Sequence, residues 1–355
     1  MAPAELMVAP WLKRPSSLPL AVAVMALLII IVGGTIRVLD AGESCPDWPK
    51  CFGGWGFDVS EDEQSVWYES NPDEVDSRGI DHRYSTLEIF SEWFHRLLAT
   101  VMAIPVLANF LIIWSRKERY GDGLVRTSFL TGILLIVQGI AGAVTVRQDN
   151  ADWSVALHLI LALAFVSILL WQWILMRRIE GQKWPMHEAP AGFVAKQLNR
   201  FITLTSAILI LLVLGAWVAA NKEYNAGCAV GFPSGWPQCH GDWLPSLDGP
   251  GIVVQMFHRI GAGIVGVALI VGSMRIRENA LEYGAHKGFS RCIDLATGFW
   301  LLNVFVGGLY IILAKTEFPE FLSLIHLVVG VTSFLTAMFG TLMLMSADLV
   351  GDDDE

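Results

Sequence analysis

Four histidines lie inside long apolar stretches of this 355-residue chain: His95, His158, His258 and His326. Ionisable side chains are costly in hydrocarbon and are rare there without a function. Each of the four falls in the outer half of an even-numbered apolar stretch, so all four carrier segments run in one direction. Two imidazoles facing each other across a helix bundle suit the axial positions of a haem iron. One nitrogen of each ring donates to the metal, and the other needs a hydrogen-bond partner. A helix–helix hydrogen bond accounts well for one such histidine but poorly for four in two matched pairs. Zinc is a weaker rival, because each half offers two histidines and no third ligand. His82, His187, His240 and His286 fall between the apolar stretches and are expected to be solvated.

Glu92 lies three positions before His95, on the same helix face, whereas Gln255 lies three positions before His258. A carboxyl group in a low-dielectric pocket is costly to ionise. It could accept or donate a proton, or stabilise a developing cation. The competing role is an i,i+4 ion pair with Arg96. Arg96 and Arg259, each one residue after a histidine, and Arg37 at the end of the first apolar stretch are candidates for haem propionates. Snorkelling to the interface explains all three nearly as well. Gly139, Gly142, Gly307 and Gly308 would admit a flat macrocycle or a closely packed helix. Cys45, Cys51, Cys228 and Cys239 fall in connecting loops. Four cysteines allow three connectivities, of which pairing within each loop is the simplest. Such a pair is either a structural clip or a reversible redox couple. Cys292 reads as a small buried hydrophobe.

The elements that must position these groups are membrane helices. The chain is 54% hydrophobic and 16% charged, against about 25% charged in soluble domains. Eight continuous apolar stretches cover about 18–38, 86–115, 124–146, 152–176, 200–220, 252–274, 290–314 and 320–346. Each reaches the roughly 20 residues that span a bilayer, and continuity favours helices over an alternating β-barrel. The expected fold is all-α and integral to the membrane. Of the 24 Lys and Arg residues, about twice as many lie on the side of the N-terminus as on the other. Both termini are therefore expected in the cytoplasm, with the cysteine loops outside, where disulfides persist. Nothing reads as a cleavable signal or as an Arg-rich leader, which favours a prokaryotic cell membrane over import. The net charge of −10 comes largely from two local clusters, residues 58–81 and the tail Asp352–Glu355. Both read as solvated, the first either packed over the outer face or flexible. No nucleic-acid surface is evident.

The chain also reads as two copies of a four-helix unit. Gly34 and Cys45-Pro-Asp-Trp-Pro-Lys-Cys51 match Gly215 and Cys228 followed by Gly235-Trp-Pro-Gln-Cys239. Glu92-Trp-Phe-His95-Arg96 matches Gln255-Met-Phe-His258-Arg259. Gln138 to Gly142 matches Asn303 to Gly307, and Trp153 to His158 matches Phe321 to His326. The expected units are an N-terminal bundle, 1–176, a linker, 177–199, and a C-terminal bundle, 200–355. Their main difference is the first loop: 44 positions separate Cys51 from His95, but 19 separate Cys239 from His258.

These residues together resemble the haem A synthase family. The resemblance rests on Gly33-Gly34 with the first cysteine loop, Glu92-x-x-His95-Arg96, Gln138-Gly139 with Gly142, and the four histidines. It implies oxidation of the C8 methyl of haem O to the formyl of haem A, for terminal oxidases. It implies substrate haem at His95 and His158, catalysis by Glu92, and a haem B cofactor at His258 and His326. The implied partners are haem O, the haem O synthase that supplies it, terminal oxidase assembly factors and membrane lipid; a homo-oligomer is left open. The second cysteine pair departs from the pattern, being spaced 11 apart against 6. The rival classes are a di-haem b-type electron carrier, which would not need Glu92, and a haem carrier without chemistry.

Overall fold

The computed structural model describes residues 14–315 and 318–351. The acidic tail Asp352–Glu355 lies outside the described residues. Among the described residues, eight helical spans are long and apolar enough to cross a membrane. They comprise α1 (Ser17–Val38), α3 with α4 (Thr86–Val101, Ala103–Ser115), α5 (Lys117–Arg147), α6 (Asp152–Ile179), α7 (Ala191–Ala220), α9 (Pro250–Glu282), α10 (Gly288–Leu313) and α11 (Glu320–Met345). Two short helices, α2 (Glu61–Ser70) and α8 (Lys222–Asn225), sit in the cysteine-loop regions. The chain is an all-α multi-pass membrane protein. Large apolar side chains such as Ile104, Phe257 and Val267 are exposed on the helix surfaces, as lipid contact requires.

Local chemistry explains the interruptions. The second span breaks at Met102, three residues before Pro105, whose ring denies the helix one N–H and crowds the preceding turn. Gly121 adopts φ 78° inside α5, so the helix proper begins after it. Ser85 and Glu88 form a capping box that fixes the start of α3 and hence the depth of His95.

α1, α6, α7 and α11 form the seam between the halves. Leu163 and Ile174 of α6 share one buried cluster with Phe201 and Ile208 of α7 and Phe334 and Ala337 of α11. A methyl added at Gly34 would lie 2.5 Å from the end of the Leu327 side chain, so a larger residue there would push Leu327 aside where α1 meets α11. At the linker end, β1 (Glu188–Pro190) pairs in parallel with β2 (Asp348–Val350), and Arg178 binds the Ser346 carbonyl and Asp348.

Between the fourth and fifth spans, α6 runs on to Ile179 and α7 starts at Ala191, burying Phe193 and Gln197. One expectation changes. His187 is fully buried rather than solvated. Its Nδ1 accepts the Trp184 N–H at 2.9 Å, and its ring stacks on Trp184. Burial, then Arg178 and Arg177, lowers its pKa. The acidic segment takes the packed one of its two alternatives. Tyr68, Tyr84 and Gln64 are buried, and the Gln64 amide both donates to and accepts from the Tyr84 backbone at 2.9 Å. Arg78 ties this segment to Glu43 and to the Asp40 carbonyl beyond α1.

Candidate functional site

The four intramembrane histidines sit in matching cradles. A methyl added at Gly33 would lie 2.9 Å from His95 Cε1; at Gly142, 3.1 Å from His158 Cε1; at Gly215, 3.1 Å from His258 Cε1; and at Gly307, 2.8 Å from His326 Cε1. Each imidazole therefore lies against the bare backbone of a neighbouring helix. The partner of Gly215 is thus Gly33 rather than Gly34. Neighbouring residues on a helix point about 100° apart, and it is Gly33 that faces a ring. Gly139 has nothing within 4 Å, and Gly308 meets Trp236 of the second cysteine loop.

Within the second half, the His258 and His326 ring centroids are 6.5 Å apart, with planes 76° apart. Two metal–imidazole bonds of about 2 Å to one ion would put ring centroids roughly 6 Å apart, so this pair is close enough that one ion could meet both rings. His95 lies within electrostatic reach of His158 in the first half. All four rings are half-buried. Nδ1 of His95, His158 and His258 is buried without a partner. His326 Nδ1 donates to the Asn303 carbonyl at 3.0 Å, which fixes its tautomer and leaves Nε2 as a lone-pair donor. In the first half the amide of Gln138 lies 3.3 Å from His158 Nε2 and donates to the His158 carbonyl at 3.1 Å. Among the described residues no group of three or more His, Cys, Asp or Glu is arranged to hold a metal ion.

Glu92 is buried, and its Oε1 accepts from Arg96 Nε at 2.7 Å; among the described residues the hydrogen bond to this carboxylate goes to Oε1 and not to Oε2. Gln255, also buried, takes the equivalent place beside Arg259 at 3.2 Å. The three arginines expected near propionates are engaged by protein oxygens. Arg96 donates to the Cys45, Asp47 and Lys50 carbonyls. Arg259 donates to those of Gly235 and Gln238, while its Nη2 is buried and unpartnered. Arg37 pairs with Asp40 and donates to the Ala220 carbonyl at 2.7 Å.

Cys45–Cys51 and Cys228–Cys239 are disulfides, with Cα separations of 4.6 and 4.9 Å. All four cysteines are buried. Cys45 and Cys51 pack with Tyr84 and Ile89, and Phe57 and Trp93 line the same cluster. Cys292 is a buried free thiol that packs against Gly340. Sequence reasoning missed Gly33 as a ring contact, the Asn303 carbonyl as a histidine partner, and the contact of Gln138 with His158. The Gln138 and Asn303 positions had been matched between the halves, but side-chain direction decides which atom of each residue meets the ring.

Among the described residues, eight apolar helices carrying four glycine-cradled histidines define a multi-pass membrane protein. The chain belongs to the COX15-CtaA family, the cytochrome oxidase assembly proteins, which it matches over residues 17–338. It is similar to proteins named heme A synthase. That of Shouchella clausii is 27% identical over 69% of this chain and 70% of its own length. The Erythrobacter litoralis protein is 25% identical over 80% and 87%, and the Bartonella quintana protein is 25% identical over 86% and 85%.

Proposed function

We propose that this protein is an oxidoreductase that makes haem A by oxidising the C8 methyl of haem O to a formyl group, for the assembly of terminal oxidases. The carrying observation is an asymmetry between otherwise matched cradles. Only the first histidine pair has a buried carboxylate one helical turn away, Glu92, where the second has the amide Gln255. The names of the relatives and the family description support the same reading.

On this reading the chain is two tandem four-helix bundles, 1–176 and 200–355, with the substrate haem held by His95 and His158 and a haem B cofactor by His258 and His326. The spacing of the His258 and His326 rings and the glycine cradles fit a flat macrocycle between imidazoles. The tautomer lock on His326 suits a permanent ligand. The Gln138 amide beside His158 Nε2 suits a ligand that must let go. Haem iron, when bound, supplies the redox chemistry. The chain's residues bind, orient and shield: apolar helices exclude water, and Glu92 Oε2, free of Arg96, holds or moves a proton near the reacting methyl. Arg259, through its unpartnered Nη2, is the best placed of the arginines for a propionate. The charge bias supports a topology with both termini in the cytoplasm and the disulfide loops outside.

The test is chromatography of haems extracted from the purified protein. A synthase carries haem B together with haem O, a hydroxylated intermediate or haem A. Haem B alone would mark an electron carrier or haem carrier instead.

A further inference from the structure

Arg96 joins two features that would otherwise be separate. Its Nε binds Glu92 Oε1 at 2.7 Å. Nη1 donates to the Asp47 carbonyl at 2.6 Å and the Lys50 carbonyl at 2.7 Å, and Nη2 to the Cys45 carbonyl at 2.6 Å. All three carbonyls belong to the loop closed by Cys45–Cys51. Carbonyls accept hydrogen bonds but carry no net charge, and among the described residues Glu92 is the only acid that pairs with Arg96. The guanidinium is a rigid planar fork. Where the loop holds Nη1 and Nη2, it also sets the direction in which Nε–H points. Lysine, a point charge on a flexible stem, could neutralise Glu92 but could not span the loop. The second half repeats the grip without the acid: Arg259 holds the Gly235 and Gln238 carbonyls and meets the neutral amide of Gln255.

We propose that Arg96 is a positioning residue that transmits the closed state of the Cys45–Cys51 loop to the Glu92 carboxylate, fixing Oε1 and leaving Oε2 for the substrate. The significance of this for turnover rests on the role proposed above for Glu92; the mechanical coupling does not. Coupling of this kind is reciprocal. Loosening the Glu92 end must loosen the disulfide end, although Glu92 makes no hydrogen bond to the loop itself.

The experiment follows reduction of both disulfides by a water-soluble phosphine in the purified full-length protein, with alkylation and mass spectrometry of each cysteine. The phosphine gives two electrons and takes an oxygen from water to become its oxide. The disulfide, with two protons, becomes two thiols. Cys45 and Cys51 are 0% and 2% exposed, so the rate reports loop opening. Arg96→Lys should open Cys45–Cys51 about tenfold faster, equivalent to about 1.4 kcal/mol, with Cys228–Cys239 unchanged as the internal reference. Glu92→Gln should accelerate the same disulfide severalfold, and the double variant should be no faster than Arg96→Lys alone. A wild-type rate in Glu92→Gln, or additive effects in the double variant, overturns the proposal. Should Arg96→Lys not fold, Gln255→Glu supplies an acid to Arg259 and should slow reduction of Cys228–Cys239 severalfold; no change there also overturns it. Loss of haem A synthesis with unaltered reduction rates would leave the function standing and remove only this coupling.

Discussion

Gly307→Ala is the most local perturbation of the cradles. The new methyl would lie 2.8 Å from His326 Cε1 and 3.2 Å from its Nδ1, inside ordinary contact. The ring cannot retreat freely, because Nδ1 donates to the Asn303 carbonyl at 3.0 Å. Breaking that bond costs about 1 kcal/mol, and crowding of a packed site costs about 1–3 kcal/mol. Alanine recovers up to about 1 kcal/mol of helix propensity. The net loss of about 2 kcal/mol corresponds to roughly 30-fold weaker retention of a ligand held by His326. Gly139→Ala is the matched control: nothing lies within 4 Å of that position, so only the propensity gain applies. Both variants would be purified in detergent, and haem per protein and the rate of haem transfer to an apo-globin acceptor measured. The expectation is rapid haem loss from Gly307→Ala at unchanged helicity, with Gly139→Ala like the parent. Equal retention by the two variants would refute the claim that this glycine holds a ligating ring in place.

Two further predictions concern the ends of the first half. Burial and a hydrogen bond with Asp149 push the Glu43 carboxyl up from 4.5 to about 7. The protonated form is therefore favoured by the fold: its contribution, about 3 kcal/mol, is complete below pH 4.5 and lost as pH rises through 7. Glu43→Gln should flatten the pH dependence of thermal unfolding across that window, and an unchanged slope would count against the assignment. Gln138→Leu removes the amide beside His158 Nε2 and should slow release of haem O severalfold in an acceptor-exchange assay, in keeping with one hydrogen bond of about 1 kcal/mol; an unaltered release rate would contradict it.

Much of the fold was legible because lipid imposes a simple rule: eight apolar runs became eight spans. The four histidines were legible for the same reason, since their ionisable rings stand out in hydrocarbon. Cysteine spacing suggested the two short-loop disulfides that the structure shows. Interaction directions were less visible. Gly33 and Gly34 are equivalent as letters but face a histidine and Leu327 respectively. Glu92 was open to an ion pair or a chemical role, and the structure places one of its oxygens on Arg96. Whether Arg96 pointed to a propionate or into the loop depended on carbonyls that a sequence does not display. The acidic segment disguised its order, because Tyr68, Tyr84 and Gln64 form a small buried core amid many carboxylates. His187 read as a loop residue, yet local hydrogen bonding and stacking on Trp184 bury it.

The claim that chemistry belongs to the half containing Glu92 is tested most directly by Glu92→Gln, expressed in cells that make haem O, with all bound and released haems separated by chromatography. The account predicts a folded protein that keeps haem B at His258 and His326 and accumulates haem O without haem A. A normal yield of haem A from that variant would contradict it.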